Sequence, residues 1–345
     1  MLVGFRRNPM LVGFRRNPML VEMKDKAPFP TSQRSNVTRN VRPLRSRQGQ
    51  GGVISTNRRP LRGLKLTALY SVAPGHFAFL LNHLTQAQKT LVTMLETHFF
   101  QVVWGWIILA VLLVPVQLKI TAPYGRHTNR KWGITLPYRW GWMLMEIVSP
   151  LTFTHFFYHG TGAKTEALRF IFVLWIAHYL NRSLLYPLRA KMGGKRVPAV
   201  IVGSAAFFNL VNGFVNGYFL GNLAEGYTNG WFFTPQFIGG TALFFMGAAV
   251  NIHSDNILLG LRKPGEPGYK IPQGGLFRYI SCPNLFGEIV EWTGFAILCW
   301  NLPAASFAIW TAANLVPRAL SHHRWYRQNF KDYPAERKAV IPGVL

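Results

Sequence analysis

The chain has 345 residues, of which 49% are hydrophobic and 14% are charged, and its formal net charge is +26. A soluble domain usually carries about 25% charged residues, so this composition argues against an ordinary soluble domain and indicates a membrane protein. Half of the net charge, +13, lies in residues 1–65. Much of the rest lies in loops beside apolar segments, where basic residues set orientation and contact anionic membrane lipids. The charge therefore requires no nucleic acid as a partner.

Residues 1–65 are rich in Arg, Asn, Pro and Gly and show little apolar periodicity, which is typical of disorder. The sequence MLVGFRRNP occurs at 1–9 and again at 10–18, so Met10 or Met19 could be an alternative start. An Arg-rich, acid-poor N-terminus also resembles an organelle transit peptide. We predict a disordered basic extension at 1–65 that is either a targeting segment or the product of a wrongly placed start. A linker at 66–97 and a membrane domain at 98–345 follow.

Seven apolar segments occupy the rest of the chain, each near the ~20 residues that a helix needs to cross a membrane. Several contain polar groups, so these helices should face one another or a cavity and not lipid. The pattern predicts an all-α polytopic membrane protein with seven transmembrane helices that enclose a cavity. The segments are 98–120, 140–158, 167–188, 197–220, 237–253, 285–300 and 304–320.

The fourth segment is rich in small residues. Gly213, Gly217 and Gly221 stand four residues apart, which predicts that a neighbouring helix approaches closely at this face. The start of the segment, VIVGSAA at 200–206, resembles a dinucleotide-binding turn, but it has neither GxGxxG nor a βαβ context. We therefore predict no Rossmann domain.

Metal and disulfide chemistry find little support in the sequence. Cys282 and Cys299 are the two cysteines, too few for a disulfide framework or a cysteine-based zinc site. His322 and His323 are adjacent, so they point to different faces of a helix and do not form the i, i+4 pair that would support zinc. We expect no metal.

Glu146 and Tyr179 lie inside apolar segments. Glu146 could be a structural acid bonded to a neighbouring backbone. Alternatively, desolvation could keep its carboxyl protonated, because burial disfavours the charged form, and it could then donate a hydrogen bond. The Tyr179 phenol could donate in the same way. Two neutral donors that converge on one carbonyl oxygen would stabilise an enolate as it forms.

Polar and charged residues crowd against apolar sequence over 251–292. Such residues at membrane depth indicate a functional site. The loop at 262–275 combines glycines, which permit tight turns, with cations that suit phosphate, although an ordinary basic loop would look similar. Carboxylates that bind ribose hydroxyls or amides, together with Arg that binds phosphate, fit a polar cofactor.

Three motifs make the chain recognisable. They are NIHSDxxLxxLRKPGE from Asn251, GYKIPQGGLFxYxSCPNxFGExxEW from Gly268 and HHxWYxxxFxDYPxxRKAxIP from His322. Together they resemble the steroid 5α-reductase (3-oxo-5-α-steroid 4-dehydrogenase) family, over roughly 136–345 and most densely after Asn251. The resemblance implies a seven-helix membrane fold that binds NADPH in a cavity of the helix bundle.

The resemblance also implies roles for individual residues. Glu146 and Tyr179 match the pair that holds the steroid 3-oxo group, whereas His253 and Arg182 lie in the same motifs with less definite roles. Met145 stands where many relatives carry Gln, and the N-terminal region is longer than theirs. The positions that match cofactor contacts are Asn251, Asp255, Arg262, Tyr269, Asn284, Glu288, Glu291, Trp292, Arg318, His322 and Tyr326.

The expected activity is NADPH-dependent reduction of the C4=C5 double bond of a 3-oxo-Δ4 steroid, with hydride transfer to the β-carbon. The expected partners are a steroid or sterol-like lipid and membrane lipids, in the endoplasmic reticulum of a eukaryote or the inner membrane of a bacterium. A very-long-chain enoyl-CoA reductase and a polyprenol reductase remain open. An isoprenylcysteine-type methyltransferase and a non-enzymatic lipid-binding protein are alternatives from other classes. The sequence sets neither the physiological substrate nor the oligomeric state.

Overall fold

The part of the chain described by the computed structural model is mostly helical, and its residues are 74–123, 125–127, 132–192, 194–261, 266 and 268–345. The predicted extension at 1–65 lies outside them. The seven long helices are α1 Pro74–Lys119, α2 Tyr138–His159, α3 Glu166–Leu180, α4 Ala199–Tyr218, α5 Pro235–Gly260, α6 Pro283–Cys299 and α7 Leu302–Asn329.

Each of the seven predicted segments corresponds to one of these helices. The largest difference lies at the first, because α1 begins at Pro74 and not near residue 98. The segment 66–97, predicted as a linker, is therefore helical from Pro74 on. Between Gly75 and Gly105 the sequence contains neither Gly nor Pro, so nothing in that stretch interrupts the helix.

Three helical stretches are long and apolar enough to cross a membrane: Thr97–Lys119, Ala199–Leu223 and Pro235–Gly260. Large apolar side chains such as Trp104, Leu112 and Phe207 are exposed on the first two, as expected of lipid-facing surfaces. The chain is thus a helical membrane protein. The count of seven membrane crossings stays a prediction, since α3 and α6 have only 15 and 17 residues.

A short two-stranded antiparallel sheet, which the sequence did not predict, joins the beginnings of two helices. Strand β1, Thr135–Pro137, pairs antiparallel with β2, Arg196–Pro198. α2 follows β1 directly and α4 follows β2. The sheet therefore fixes the position of the first residue of α2 relative to that of α4.

Close helix packing depends on glycine at two interfaces. Between α2 and α4, a Cβ atom on Gly213 would lie 2.8 Å from the Ser149 carbonyl oxygen, and one on Gly217 would lie 2.7 Å from the Phe153 carbonyl oxygen. The predicted close approach at this face is confirmed. Its partner is α2, and no larger side chain fits at either position.

The second glycine interface joins α5 to α6. A Cβ on Gly240 would lie 2.7 Å from the Gly294 carbonyl oxygen, and one on Gly247 would lie 2.6 Å from that of Gly287. The contact is reciprocal, because both helices have their glycines seven residues apart. This packing aligns the polar end of α5 with the polar start of α6.

The segment after α7 pairs with the loop before α6. The Ser281 and Cys282 amides donate to the carbonyl oxygens of Lys338 and Ala339, at 2.8 and 3.1 Å. The Ser281 hydroxyl also lies 2.6 Å from the Tyr333 hydroxyl. Burial raises the pKa of Tyr333, so this phenol stays neutral at physiological pH. We call residues 333–339 the C-terminal strap.

Gly240 and its neighbour Gly239 offer a matched test of the α5–α6 interface. Gly240→Ala should lower the thermal midpoint of unfolding in detergent, because overpacking costs about 1–3 kcal/mol. Gly239→Ala should leave it unchanged or raise it slightly, since a Cβ at that exposed position meets nothing within 4 Å. Equal midpoints for the two variants would show that the interface tolerates a side chain.

Candidate functional site

A cavity of about 560 Å³ lies among α1, α2, α3, α4, α6 and α7. Aromatic and aliphatic side chains, including Trp106, Leu113, Phe208 and Trp310, form most of its wall. Six polar side chains form one cluster in that wall, and these are Glu146, His178, Tyr179, Arg182, Asn209 and Glu288. Further polar side chains, including Gln117 on α1 and Asn314 and Arg318 on α7, also line the cavity. The cavity therefore suits a largely apolar molecule that carries a polar group.

Tyr179 and Glu146, the two predicted hydrogen-bond donors, line the same cavity. The Tyr179 hydroxyl donates to Asn209 Oδ1 at 3.2 Å, and Asn209 Nδ2 donates to the Met145 carbonyl oxygen at 2.7 Å. Asn209 thus links the phenol to the backbone beside Glu146. The sequence did not lead us to predict Asn209 as a site residue. An amide in the middle of an apolar helix is nevertheless a signal for a hydrogen bond to a neighbouring helix.

Arg182 joins three helices at one edge of this cavity. It lies in a π-helical turn, Asn181–Leu185, that continues α3. Its Nη1 lies 3.3 Å from Asp255 Oδ2 on α5, and its Nη2 lies 3.6 Å from Glu288 Oε2 on α6. The guanidinium carbon lies 5.2 and 5.1 Å from the ring centroids of Trp142 and Tyr186. A single, largely buried cation therefore balances the buried carboxylate of Asp255 and the partly buried one of Glu288.

A second, polar cavity of about 280 Å³ adjoins the first. The two share Tyr138, Trp142, Arg182, Glu288, Leu315 and Arg318 as wall residues. The structure brings together here most of the positions predicted to contact a cofactor. Those that line the polar cavity are Asp255, Tyr269, Asn284, Glu288, Arg318, His322 and Tyr326, with Lys191, Lys195 and Lys270 beside them.

Four of the predicted cofactor positions are placed differently. Asn251 is buried and donates to the Asn284 carbonyl oxygen at 2.9 Å, and Glu291 contacts His178 Nδ1 at 2.7 Å, so both support neighbours and line neither cavity. Trp292 lines the apolar cavity. Arg262 lies outside the described residues.

Asp255 and Asn284 show how the two glycine-packed helices build the polar wall. Asn284 Nδ2 donates to Asp255 Oδ1 at 3.1 Å, across the α5–α6 interface. The other carboxylate oxygen of Asp255 faces Arg182. The close approach of α5 and α6 is what allows these short side chains to meet.

Two joined cavities of opposite polarity inside a helical membrane protein define a membrane enzyme with an apolar and a polar binding compartment. Comparison with known proteins places it more closely. A profile of the 3-oxo-5-alpha-steroid 4-dehydrogenase family matches residues 195–345. The chain is 41% identical over 229 residues to 3-oxo-5-alpha-steroid 4-dehydrogenase 1 of Rattus norvegicus, which covers 66% of the chain and 88% of the relative.

Plant proteins are similarly related. The chain is 38% identical over 245 residues to Steroid 5-alpha-reductase DET2 of Gossypium hirsutum, across 68% of the chain and 94% of the relative. It is 36% identical over 236 residues to Steroid 5-alpha-reductase DET2 of Arabidopsis thaliana, across 66% of the chain and 90% of the relative. The chain belongs to the 3-oxo-5-alpha-steroid 4-dehydrogenase (steroid 5-alpha-reductase) family, a family of oxidoreductases that act on CH–CH bonds. The resemblance drawn from the three motifs is confirmed.

Removal of the Arg182 guanidinium tests its role as the common partner of two carboxylates. Arg182→Met should destabilise the protein by about 3–5 kcal/mol, because Asp255 and Glu288 would be left buried without a cation. Arg189→Met is the control, since Arg189 is exposed and binds Asn256, and its loss should change the stability by about 0.5 kcal/mol or less. Chemical unfolding in detergent measures both. A similar stability for the two variants would contradict this role.

Proposed function

We propose that the protein catalyses NADPH-dependent reduction of the C4=C5 double bond of a 3-oxo-Δ4 steroid by hydride transfer to the β-carbon. The observation that carries the proposal is that Glu146 and Tyr179 line one apolar cavity that shares a wall with a polar, cation-rich one. The names of the related proteins from rat and cotton support a steroid as the substrate.

The apolar cavity would hold the steroid with its ketone toward the polar wall. The Tyr179 hydroxyl donates its one proton to Asn209 in this structure and would turn it to the 3-oxo oxygen when the steroid binds. Glu146 lines the same cavity and can donate a second hydrogen bond to that oxygen. The hydrogen bonds from these donors would become stronger as negative charge develops on that oxygen. This stabilisation of the transition state would lower the barrier to hydride addition. The apolar remainder of the wall would exclude water from the reacting carbons.

The polar cavity has a donor set that fits NADPH. Arg318 and His322 can bind phosphate oxygens, while Asp255 and Asn284 can bind ribose hydroxyls or the carboxamide. Bound NADPH would supply the hydride. Because Arg182 and Glu288 belong to both walls, they would lie where cofactor and steroid meet.

The same proposal locates the protein in the endoplasmic reticulum membrane of a eukaryotic cell, which imaging of a tagged full-length chain would test.

Incubation of the purified full chain with NADPH and a panel of substrates tests the proposal. The panel comprises a 3-oxo-Δ4 steroid, a very-long-chain enoyl-CoA and a polyprenol, with mass spectrometry of the products. We expect NADPH to convert the steroid into a product that is two mass units heavier, because the reaction adds two hydrogen atoms. Reduction of the thioester or the polyprenol alone would contradict the steroid assignment. Thermal stabilisation by S-adenosylmethionine in place of NADPH would indicate a methyltransferase.

Variants of the two donors should separate chemistry from binding. Glu146→Gln keeps a weaker donor of similar shape, whereas Glu146→Ala removes it, so the steroid-reduction rate should fall from wild type to Gln to Ala. Tyr179→Phe should also be impaired, because phenyl cannot donate. Each lost donor should cost about 10²–10³ in kcat. NADPH affinity should stay unchanged, and a wild-type kcat for Glu146→Ala would remove Glu146 from the mechanism.

Asp255→Ala should weaken NADPH binding by about tenfold or more, because a lost hydrogen bond to a charged group costs about 1.5–3 kcal/mol. The control is Asp332→Ala, at an exposed position after α7. Titration of each purified variant with NADPH, followed by tryptophan fluorescence, measures the affinity. Unchanged NADPH affinity in Asp255→Ala would show that this carboxylate does not contact the cofactor.

A further inference from the structure

A buried histidine–carboxylate pair, His178 and Glu291, has no part in the reaction as described so far. His178 Nδ1 lies 2.7 Å from Glu291 Oε1, and the two side chains are 5% and 3% exposed. The Trp292 ring packs edge-on against the imidazole, with ring centroids 4.5 Å apart. His178 also lines the apolar cavity, whereas Glu291 does not. Because Glu291 engages Nδ1, the ring has Nε2 to offer to the cavity.

The reduction needs a proton as well as a hydride. Addition of hydride to the β-carbon turns the enone into an enolate, whose α-carbon must then be protonated. The α-carbon is two bonds from the carbonyl oxygen, so its proton donor must lie beside the groups that hold that oxygen. His178 meets this requirement, since its ring centroid lies 5.1 Å from that of Tyr179.

The other titratable side chains that line this cavity, within the described part of the chain, are Tyr138, Glu146, Tyr179, Arg182, Glu288 and Arg318. Tyr138 is the first residue of α2, eight residues and about 12 Å along the helix axis from Glu146. Arginine does not give up a proton in proteins. Glu288 faces the guanidinium of Arg182, and Glu146 and Tyr179 are engaged with the carbonyl oxygen. Histidine, in contrast, exchanges protons near neutral pH. Among the groups that lie beside Glu146 and Tyr179, His178 is thus the one with a proton to transfer and no other role.

We propose that His178 is a further catalytic residue, which protonates the α-carbon, and that Glu291 is its positioning residue. The proposal rests on the reductase function proposed above. In the step, the Nε2–H bond of the imidazolium breaks and its electron pair stays on the ring. The electron pair of the enolate C=C bond forms the new C–H bond at the α-carbon, while a lone pair on the enolate oxygen restores the C=O bond. The neutral imidazole then takes a proton from water that enters through the polar cavity.

Glu291 contributes to this step in two ways. It fixes the ring by accepting from Nδ1–H, and its negative charge stabilises the imidazolium, as the buried carboxylate does in serine-protease triads. The charged groups that line the cavity with His178 are Glu146 on α2, Arg182 in the π-helical turn, Glu288 on α6 and Arg318 on α7. They are unchanged in the variants described next, so a difference between those variants reports on the pair itself.

The first experiment measures kcat, KM and NADPH affinity of the full chain with the 3-oxo-Δ4 steroid. His178→Gln keeps a group that can bond to Glu291 but cannot act as an acid near neutral pH. We expect kcat to fall by about 10²–10⁴-fold, the usual contribution of a general acid, with NADPH affinity unchanged. The control is His155→Phe, at an exposed position of α2, which should keep the wild-type kcat.

The second experiment distinguishes a proton donor from a structural histidine by its pH profile. Glu291→Gln keeps an oxygen that accepts from Nδ1–H but removes the charge that stabilises the imidazolium. The pH above which kcat falls should therefore be lower in Glu291→Gln than in wild type. The control is Glu166→Gln, whose carboxylate is 64% exposed. If the pair were purely structural, Glu291→Gln would lower the stability of the protein and leave the pH above which kcat falls unchanged.

The outcomes separate the two proposals. If wild-type protein reduces no 3-oxo-Δ4 steroid, the proposed function fails. If wild type is active and His178→Gln keeps the wild-type kcat, or the pH profile of Glu291→Gln is unchanged, the proton-donor role is overturned and the reductase function stands. If His178→Gln fails to bind NADPH and is therefore misfolded, the pH profile of Glu291→Gln decides alone.

Discussion

The insertion of one guanidinium between two buried carboxylates is the constraint on which the site depends. Asp255 comes from α5 and Glu288 from α6, and a pair of carboxylates at that depth would repel without the Arg182 charge between them. Arg182 can reach both because a π-helical turn interrupts α3 at its position. The two cavities therefore meet at a charge-balanced boundary, which lets an apolar compartment adjoin a polar one inside a single helix bundle.

Glycine makes this charge arrangement possible. Glu288 and Asp255 have short side chains, and they meet Arg182 and Asn284 because α5 and α6 approach to backbone contact at Gly247 and Gly287. Larger residues at these two glycines would push the helices apart by the width of a side chain. The packing of α5 against α6 therefore determines the geometry of the polar site.

The sequence predicted the helices well, because apolar runs of membrane length are a strong signal, and it predicted the α2–α4 contact from the spacing of Gly213 and Gly217. It missed the α5–α6 glycine contact, whose seven-residue spacing is not the usual pattern. Most of the cofactor positions that the motifs indicated line the polar cavity, but no motif tells which carboxylate faces a cavity. Only the three-dimensional arrangement shows that Glu288 faces Arg182 while Glu291 lies behind His178.

The C-terminal strap has a consequence for how the protein is made. Residues 333–339 leave the ribosome after all seven helices, yet Arg337 donates to the Pro272 carbonyl oxygen at 3.0 Å and to Gln273 Oε1 at 2.7 Å. The loop that leads from α5 to α6 therefore lacks these partners until synthesis has passed the strap. Premature termination upstream of the strap would release a chain whose membrane helices are complete but whose polar compartment is not held in place.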